Sequence, residues 1–269
     1  MSAMHPSAAL HSAASDRSGL ALNEPLLDVR GLGHSLGGRV VLDGVQLAVR
    51  RGEFVALLGP SGAGKTTLIH CITGLLRPAR GAVRIAGADL ATLRGRQRRR
   101  VAVIFQQFNL VRRLSALDNV LAGRLGHVPA WRGWLRQFEQ ADRRLALACL
   151  DRVGLLAQAG QRADTLSGGQ QQRVAIARAM AQQAELIVAD EPVASLDPAA
   201  SAGVLELLQT ICRDDGVAVV CSLHQLQLAQ QFAHRLVGLS AGRLRFDQRT
   251  EQVDSATTSA LYGAVPAPI

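Results

Sequence analysis

Phe54-Val55-Ala56-Leu57-Leu58-Gly59-Pro60-Ser61-Gly62-Ala63-Gly64-Lys65-Thr66-Thr67 is a short apolar run that passes straight into a glycine-rich loop. The five apolar residues read as a buried strand, and Thr66 to Leu76 reads as a helix stopped by Pro78. The octapeptide Gly59–Thr66 matches G-x-x-x-x-G-K-[ST], a loop whose backbone N–H groups face phosphates. Strand, loop and helix in that order are the context the motif requires. Gly62 and Gly64 allow the backbone to approach, and the helix N-terminus adds its positive end. Lys65 is the only lysine of the chain; the other 29 basic residues are arginine. A compact ammonium fits where phosphates close in, and a planar guanidinium does not. The expected nucleotide-contacting residues are Gly59, Pro60, Ser61, Gly62, Ala63, Gly64, Lys65, Thr66 and Thr67, with the Thr66 hydroxyl available to Mg2+.

A second element is Leu186-Ile187-Val188-Ala189-Asp190-Glu191, a buried strand ending in two carboxylates. Successive side chains on a strand point to opposite faces, so the two acids have different tasks. Asp190 is placed to hold Mg2+, directly or through water. Glu191 is placed to polarise the water that attacks a terminal phosphate. A third element, Leu166-Ser167-Gly168-Gly169-Gln170, sets a serine and two glycines before a helix, a further anion-binding N-terminus. One nucleotide needs one loop cradle, so a second cradle points to a second, facing subunit.

These three elements together resemble the ABC-type ATPases, whose signature the segment Leu166–Gln170 matches without substitution. The resemblance implies an α/β P-loop NTPase core with an antiparallel β subdomain and an inserted helical subdomain. It implies that Ser167, Gly168, Gly169 and Gln170 contact the nucleotide held by a partner copy. By the same resemblance Gln106 reaches Mg2+ and the attacking water, His224 contacts the γ-phosphate, and Ser195-Leu196-Asp197 crosses to the partner. One position departs: Leu36 stands where the family commonly places an aromatic residue against adenine.

Around this core, Leu26–Leu32 and Val40–Val49 read as antiparallel strands with a Gly37-Gly38 turn, and Val101–Phe105 as another strand. Beyond the signature come Gly168–Gln183 (helix), Glu185–Asp190 (strand), Pro198–Arg213 (helix), Val217–Ser222 (strand) and Gln225–Phe232 (helix). Arg235–Leu239 and Arg243–Phe246 read as closing strands. Residues 1–24 read as a disordered tail, 25–263 as one ATPase domain with a helical subdomain over about 108–164, and 264–269 as a second tail.

Composition bounds the function. Apolar residues make up 48% of 269, enough for an ordinary core, and no run approaches the ~18 needed for a membrane span. Aromatics at 3% argue against a stacking platform for single-stranded nucleic acid. A net charge of +9 permits nucleic acid, an anionic membrane surface, or a plain arginine bias. The densest cluster, Arg94–Arg100, has no aromatic interleaving and fits a solvated or membrane-facing rim. Cys71, Cys149, Cys212 and Cys221 lack C-x-x-C spacing and read as buried free thiols of a reducing compartment.

Several segments are closer still to the ATP-binding subunits of bacterial phosphonate importers: Phe105–Val111, Asn119–Gly126, Trp131-Arg132 with Phe138, Gln161–Asp164 and Asp190–Asp197. This resemblance spans roughly residues 26 to 247. It implies an ATP- and Mg2+-dependent homodimer at the cytoplasmic face of the inner membrane. Its partners would be transmembrane permease subunits and, indirectly, a periplasmic substrate-binding protein, with no nucleic acid. An importer for phosphate, phosphite or polar amino acids has the same ATPase chemistry. A non-transport ABC ATPase acting on DNA or ribosomes usually carries two cores or long coiled coils, and this chain has neither.

Overall fold

A computed structural model describes residues 24–262; the tails expected over residues 1–24 and 264–269 lie outside them, apart from Glu24. Two sheets share the architecture. The smaller has the order β2-β1-β4-β5, built from β1 (Leu27–Leu36), β2 (Arg39–Val49), β4 (Arg80–Ile85) and β5 (Ala88–Asp89), all antiparallel. The larger comprises β3 (Phe54–Leu58), β6 (Val101–Ile104), β7 (Leu186–Asp190), β8 (Ala218–Ser222), β9 (Arg235–Ser240) and β10 (Arg243–Arg249). Its order is β10-β9-β3-β8-β7-β6, parallel except for the edge pair β9–β10.

The central strands β3, β7 and β8 are buried at every position, which is why they are continuous apolar runs. Their alternating side chains feed two cores. Val55, Leu57, Val188 and Val220 join the small sheet and helix α1 (Lys65–Thr73) on one face. Phe54, Ala56, Ile187, Ala189 and Val219 join the helical layer on the other. That layer holds α2 (Ala116–Leu121), α4 (Gln140–Arg152), α5 (Gly168–Ala181), α6 (Pro198–Asp215) and α7 (Leu226–Phe232). A short helix α3 (Ala130–Trp134) and a last helix α8 (Ser255–Tyr262) complete the described elements.

The stretch 108–164 carries α2, α3 and α4, and both α2 and α4 pack on α5. Asn119, buried in α2, fastens the preceding loop: its Oδ1 accepts from Val111 N–H at 2.8 Å and its Nδ2 donates to Val111 and Ser115 carbonyls. Helix α6 has an Asp197 side chain accepting from Ala200 N–H, Pro198 in its first turn and left-handed Gly216 at its end.

Three sequence expectations need correction. Helix α1 ends at Thr73 because Gly74 takes a left-handed cap, three residues before the reading that placed its end at Leu76 by Pro78. Strands β4 and β5 were unforeseen, because Arg80-Gly81 and the turn at Ala86-Gly87 interrupt their apolar pattern. Helix α8 was unforeseen as well. The cluster Arg94–Arg100 forms a 3-10 turn with Arg94 and Arg98 exposed. All four cysteines are free and buried, and burial pushes the Cys149 and Cys212 thiols up to about 12.

Candidate active site

The C-terminal ends of the parallel strands converge on one edge, where ligands of such sheets bind. Strand β3 delivers the loop 59–64, β7 delivers Asp190 and Glu191, β8 leads to His224, and β6 leads to Gln106. A cavity of about 370 Å3 opens there, lined by Val41, the stretch Ser61–Thr67, Glu191 and His224.

The loop is shaped by close backbone approaches. Gly59 has φ +153°, and a Cβ there would stand 2.1 Å from the Leu239 carbonyl oxygen. Gly64 has φ +104°, and its Cβ would stand 2.9 Å from both Val41 O and Leu42 Cδ2. These two glycines let the loop lie against β9 and β2, and Gly242 N–H donating to Ala63 O at 3.1 Å pins it to the β9–β10 turn.

Lys65 is 5% exposed, and its Nζ donates to Gly59 O at 2.7 Å and Pro60 O at 3.2 Å. The ammonium therefore curls over the loop that would hold phosphate. Burial lowers its pKa below the ordinary 10.5, opposed by the charges of Glu191 and Asp190. Thr66 is exposed and lines the cavity.

At the end of β7 the two acids diverge because the strand stops at Asp190 and Glu191 already turns away from it, not through the alternation of one continuous strand. Asp190 is buried at 8% exposure, and its Oδ1 accepts from Ser222 Oγ at 2.8 Å. Glu191 leaves the strand in a left-handed conformation, φ +49°, its N–H donating to the same Ser222 Oγ at 2.8 Å. Glu191 Oε1 and His224 Nε2 are 2.5 Å apart. One serine hydroxyl thus serves both acids. The sequence reading passed over Ser222 as the last residue of its strand. The register of β7 and β8, which sets Asp190 beside Ser222, is the signal that identifies it. Val41 was also missed, because it reaches the cavity from β2.

Other expected residues lie outside this cavity. Gln106 is exposed in the turn after β6 and is not part of the lining. Ser167–Gln170 sit at the start of α5, with Ser167 Oγ accepting from Gln170 N–H at 3.3 Å and Gln170 Oε1 accepting from Ser167 N–H at 2.9 Å. This capping box leaves Ser167 and Gly168 exposed, away from the loop of their own chain. Leu36 is 52% exposed at the end of β1.

The oxygen donors suit a hard cation of small size. The Thr66 hydroxyl lines the cavity, while Asp190 lies buried at the end of β7 outside the lining, its Oδ1 accepting from Ser222; no cluster of three or more His, Cys, Asp or Glu exists among the described residues. A Mg2+ ion typically takes one or two protein oxygens and completes its shell with phosphate and water.

The ABC transporter family model matches residues 42–194. The phosphonates import ATP-binding protein of Chromohalobacter salexigens is 49% identical over 231 residues, 84% of this chain and 85% of that protein. The hypophosphite import ATP-binding protein of Stutzerimonas stutzeri is 46% identical over 250 residues, 91% of this chain and 73% of that protein. Among solved structures, a dimeric bacterial ABC transporter cassette superposes with TM-score 0.73 at 32% identity, covering 83% of this chain and 98% of the other. A dimeric ATP-binding cassette in a post-hydrolysis state, bound to ADP and Pi, gives TM-score 0.71 at 33% identity, covering 83% and 98%.

Proposed function

The chain belongs to the ABC transporter family, and from that premise we propose that it is the ATP-hydrolysing subunit of a bacterial phosphonate importer, working as a dimer with two composite sites. The single observation behind the composite site is the division of the machinery. The loop, Glu191 and His224 share one cavity, while Ser167–Gln170 lie outside its lining with Ser167 and Gly168 exposed. Two copies in opposed orientation bring each signature to the other's cavity.

In this reading the N–H groups of Gly62–Thr67 and the Lys65 ammonium bind the phosphates. Lys65 exchanges its two loop carbonyls for phosphate oxygens. Thr66 and Asp190 would hold Mg2+, with Gln106 joining them, and the ion would supply positive charge to neutralise the nucleotide's phosphates. Glu191 takes the proton of a water whose oxygen bonds to the γ-phosphorus while the bond to the ADP oxygen breaks. His224, beside the Glu191 carboxylate, contacts the γ-phosphate and fixes the carboxylate's direction. Asp197 and Ser195 run along the dimer seam. Gln106 stands outside the cavity until closure carries its loop inward.

We place the permease contact on the stretch 108–135, where Val111, Leu125, Trp131 and Leu135 are all exposed. No helix among the described residues is long and apolar enough to cross a membrane. The chain then sits peripherally on the cytoplasmic face of the inner membrane, receiving the signal of a periplasmic binding protein through the permease. As a domain reading, residues 25–263 form the ATPase domain and about 108–164 its helical subdomain.

Phosphonate as cargo is supported by the 49% identity to the named phosphonate importer subunit. The hypophosphite relative at 46% keeps a smaller phosphorus oxyanion as the second reading. Growth of the source organism with and without this gene, on phosphonate, phosphite or hypophosphite as sole phosphorus source, separates them. Loss of growth on phosphonate alone supports the proposal. Loss only on a smaller oxyanion replaces it with the second reading, and undiminished growth on every source contradicts both.

A further inference from the structure

Helix α5 carries more than the signature at its start. On it, Arg178 donates from Nη1 to Asn109 O at 2.6 Å and from Nη2 to Phe108 O at 3.1 Å. These carbonyls belong to the loop that immediately follows Gln106 and Gln107. Phe108 and Asn109 are consecutive residues in the left-handed region, φ +37° and +47°; asparagine adopts it readily, but for Phe108 the conformation needs outside support. Arg178 provides it with both arms of its planar fork. Burial lowers its pKa with no opposing charge, and no carboxylate salt bridge to it exists among the described residues. A half-buried guanidinium kept solely for main-chain carbonyls is an expensive arrangement, and holding the loop's shape is the role its contacts describe.

The loop also lies near the start of α5: a Cβ on Gly168, in the signature itself, would come within ordinary van der Waals range of Phe108 Cζ, at 3.9 Å. On the opposite side, a Cβ on Gly123 would stand 2.3 Å from the Arg178 carbonyl oxygen, so the turn after α2 sits directly on the helix at Arg178. The Gln106 loop is therefore fastened to α5 at Arg178 and lies near the start of the same helix, two to three turns earlier.

We infer that Arg178 is a positioning residue that makes the Gln106 loop and helix α5 move as one piece, so that engagement of Ser167–Gln170 by the partner's nucleotide repositions Gln106 at the chain's own site. This rests on the composite ATPase reading above. It gives the two sites of a dimer a physical link: what α5 senses at one nucleotide is delivered to the water-facing side of the other. The two hydrogen bonds of Arg178 act on the loop itself, beside the packing of α5 against β6, the strand that leads into Gln106.

The test is steady-state ATP hydrolysis by the full-length chain carrying Arg178→Lys, alone and combined with Gln106→Ala. Lysine keeps the cation but replaces the wide planar fork, whose two arms each meet one carbonyl, with a single nitrogen on a different stem. We expect kcat to fall about tenfold, ATP affinity of the single chain to stay within about twofold, and the ATP dependence of the rate to lose its cooperativity. In the Gln106→Ala background, Arg178→Lys should cause no further fall in kcat. Arg178→Met, with its melting temperature recorded beside its rate, separates loss of fold from loss of position. An unchanged kcat in Arg178→Lys overturns the inference, as does an equal further fall in the Gln106→Ala background. Absence of ATP hydrolysis by the unsubstituted chain strikes at the ATPase reading beneath it, a different result.

Discussion

The Ser222 hydroxyl donates to Asp190 Oδ1 at 2.8 Å and accepts from the Glu191 N–H at 2.8 Å, so one buried side chain holds the carboxylate of Asp190 and the main chain that presents Glu191. Ser222→Ala removes the donor and orphans the Glu191 N–H inside the fold. Leaving a buried polar group unpaired costs about 1–3 kcal/mol, equivalent to a melting-temperature loss of roughly 2–10 °C for a chain of this size. We predict that loss together with a kcat reduced about tenfold, since Glu191 is no longer aimed. Calorimetry and a phosphate-release assay on the same preparation check both; an unaltered rate removes Ser222 from the site.

Glu191 sits at φ +49°, where a non-glycine residue other than asparagine or aspartate is strained by about 1–2 kcal/mol. The strain is retained at a position where the side chain meets His224. Glu191→Asn relieves it and removes the carboxylate. The expected result is a melting temperature equal to or above that of the unsubstituted chain, with hydrolysis reduced at least about a hundredfold. A large loss of stability would show that the conformation is not strained.

Lys65 has a pKa below 10.5, because burial disfavours its charged form more than Asp190 and Glu191 favour it. In the proposed role a triphosphate binds the protonated ammonium, so nucleotide affinity should be complete at low pH and fall as pH rises through the depressed value, sooner than an ordinary lysine would allow. ATP titrations between neutral and alkaline pH measure the window. As the chain's single lysine, Lys65 is also the only side-chain amine open to acylation, and ATP should protect it while leaving the N-terminal amine reactive. Affinity independent of pH across that range would contradict a buried phosphate contact by Lys65.

Leu36 is exposed where the resemblance expects an aromatic ring against adenine. Leu36→Tyr should tighten ATP binding by about 0.5–1.5 kcal/mol through ring stacking and increase the preference for ATP over GTP. Equal affinities before and after the change would mean that adenine lies elsewhere.

Much of this site is legible in residue order because its parts are local. The run Phe54–Thr67 contains strand, loop and helix start in one stretch, and Leu186–Asp190 is a continuous apolar run ending in an acid, which marks a buried strand. Residues that act across strands leave no such mark. Ser222 is an ordinary strand end until the β7–β8 register places it beside Asp190, and Arg178 is one arginine among many until α5 brings it to Phe108 and Asn109. The end of α1 was legible in principle: Gly74 is a standard left-handed cap, but the proline four residues on drew the boundary outward. Strand β4 was harder, since only Val83 and Ile85 of its six residues are buried apolar positions.

The central claim is that the site is completed by a second copy, and the mass of Glu191→Gln in the presence of MgATP tests it most directly. The variant keeps the shape of the side chain at the His224 contact but cannot take the proton of the attacking water. The account predicts a stable dimer by light scattering with ATP, a monomer without it, and a monomer in both conditions once Ser167→Arg is added. A Glu191→Gln chain that stays monomeric with saturating MgATP, or that dimerises equally well with Ser167→Arg, would contradict it.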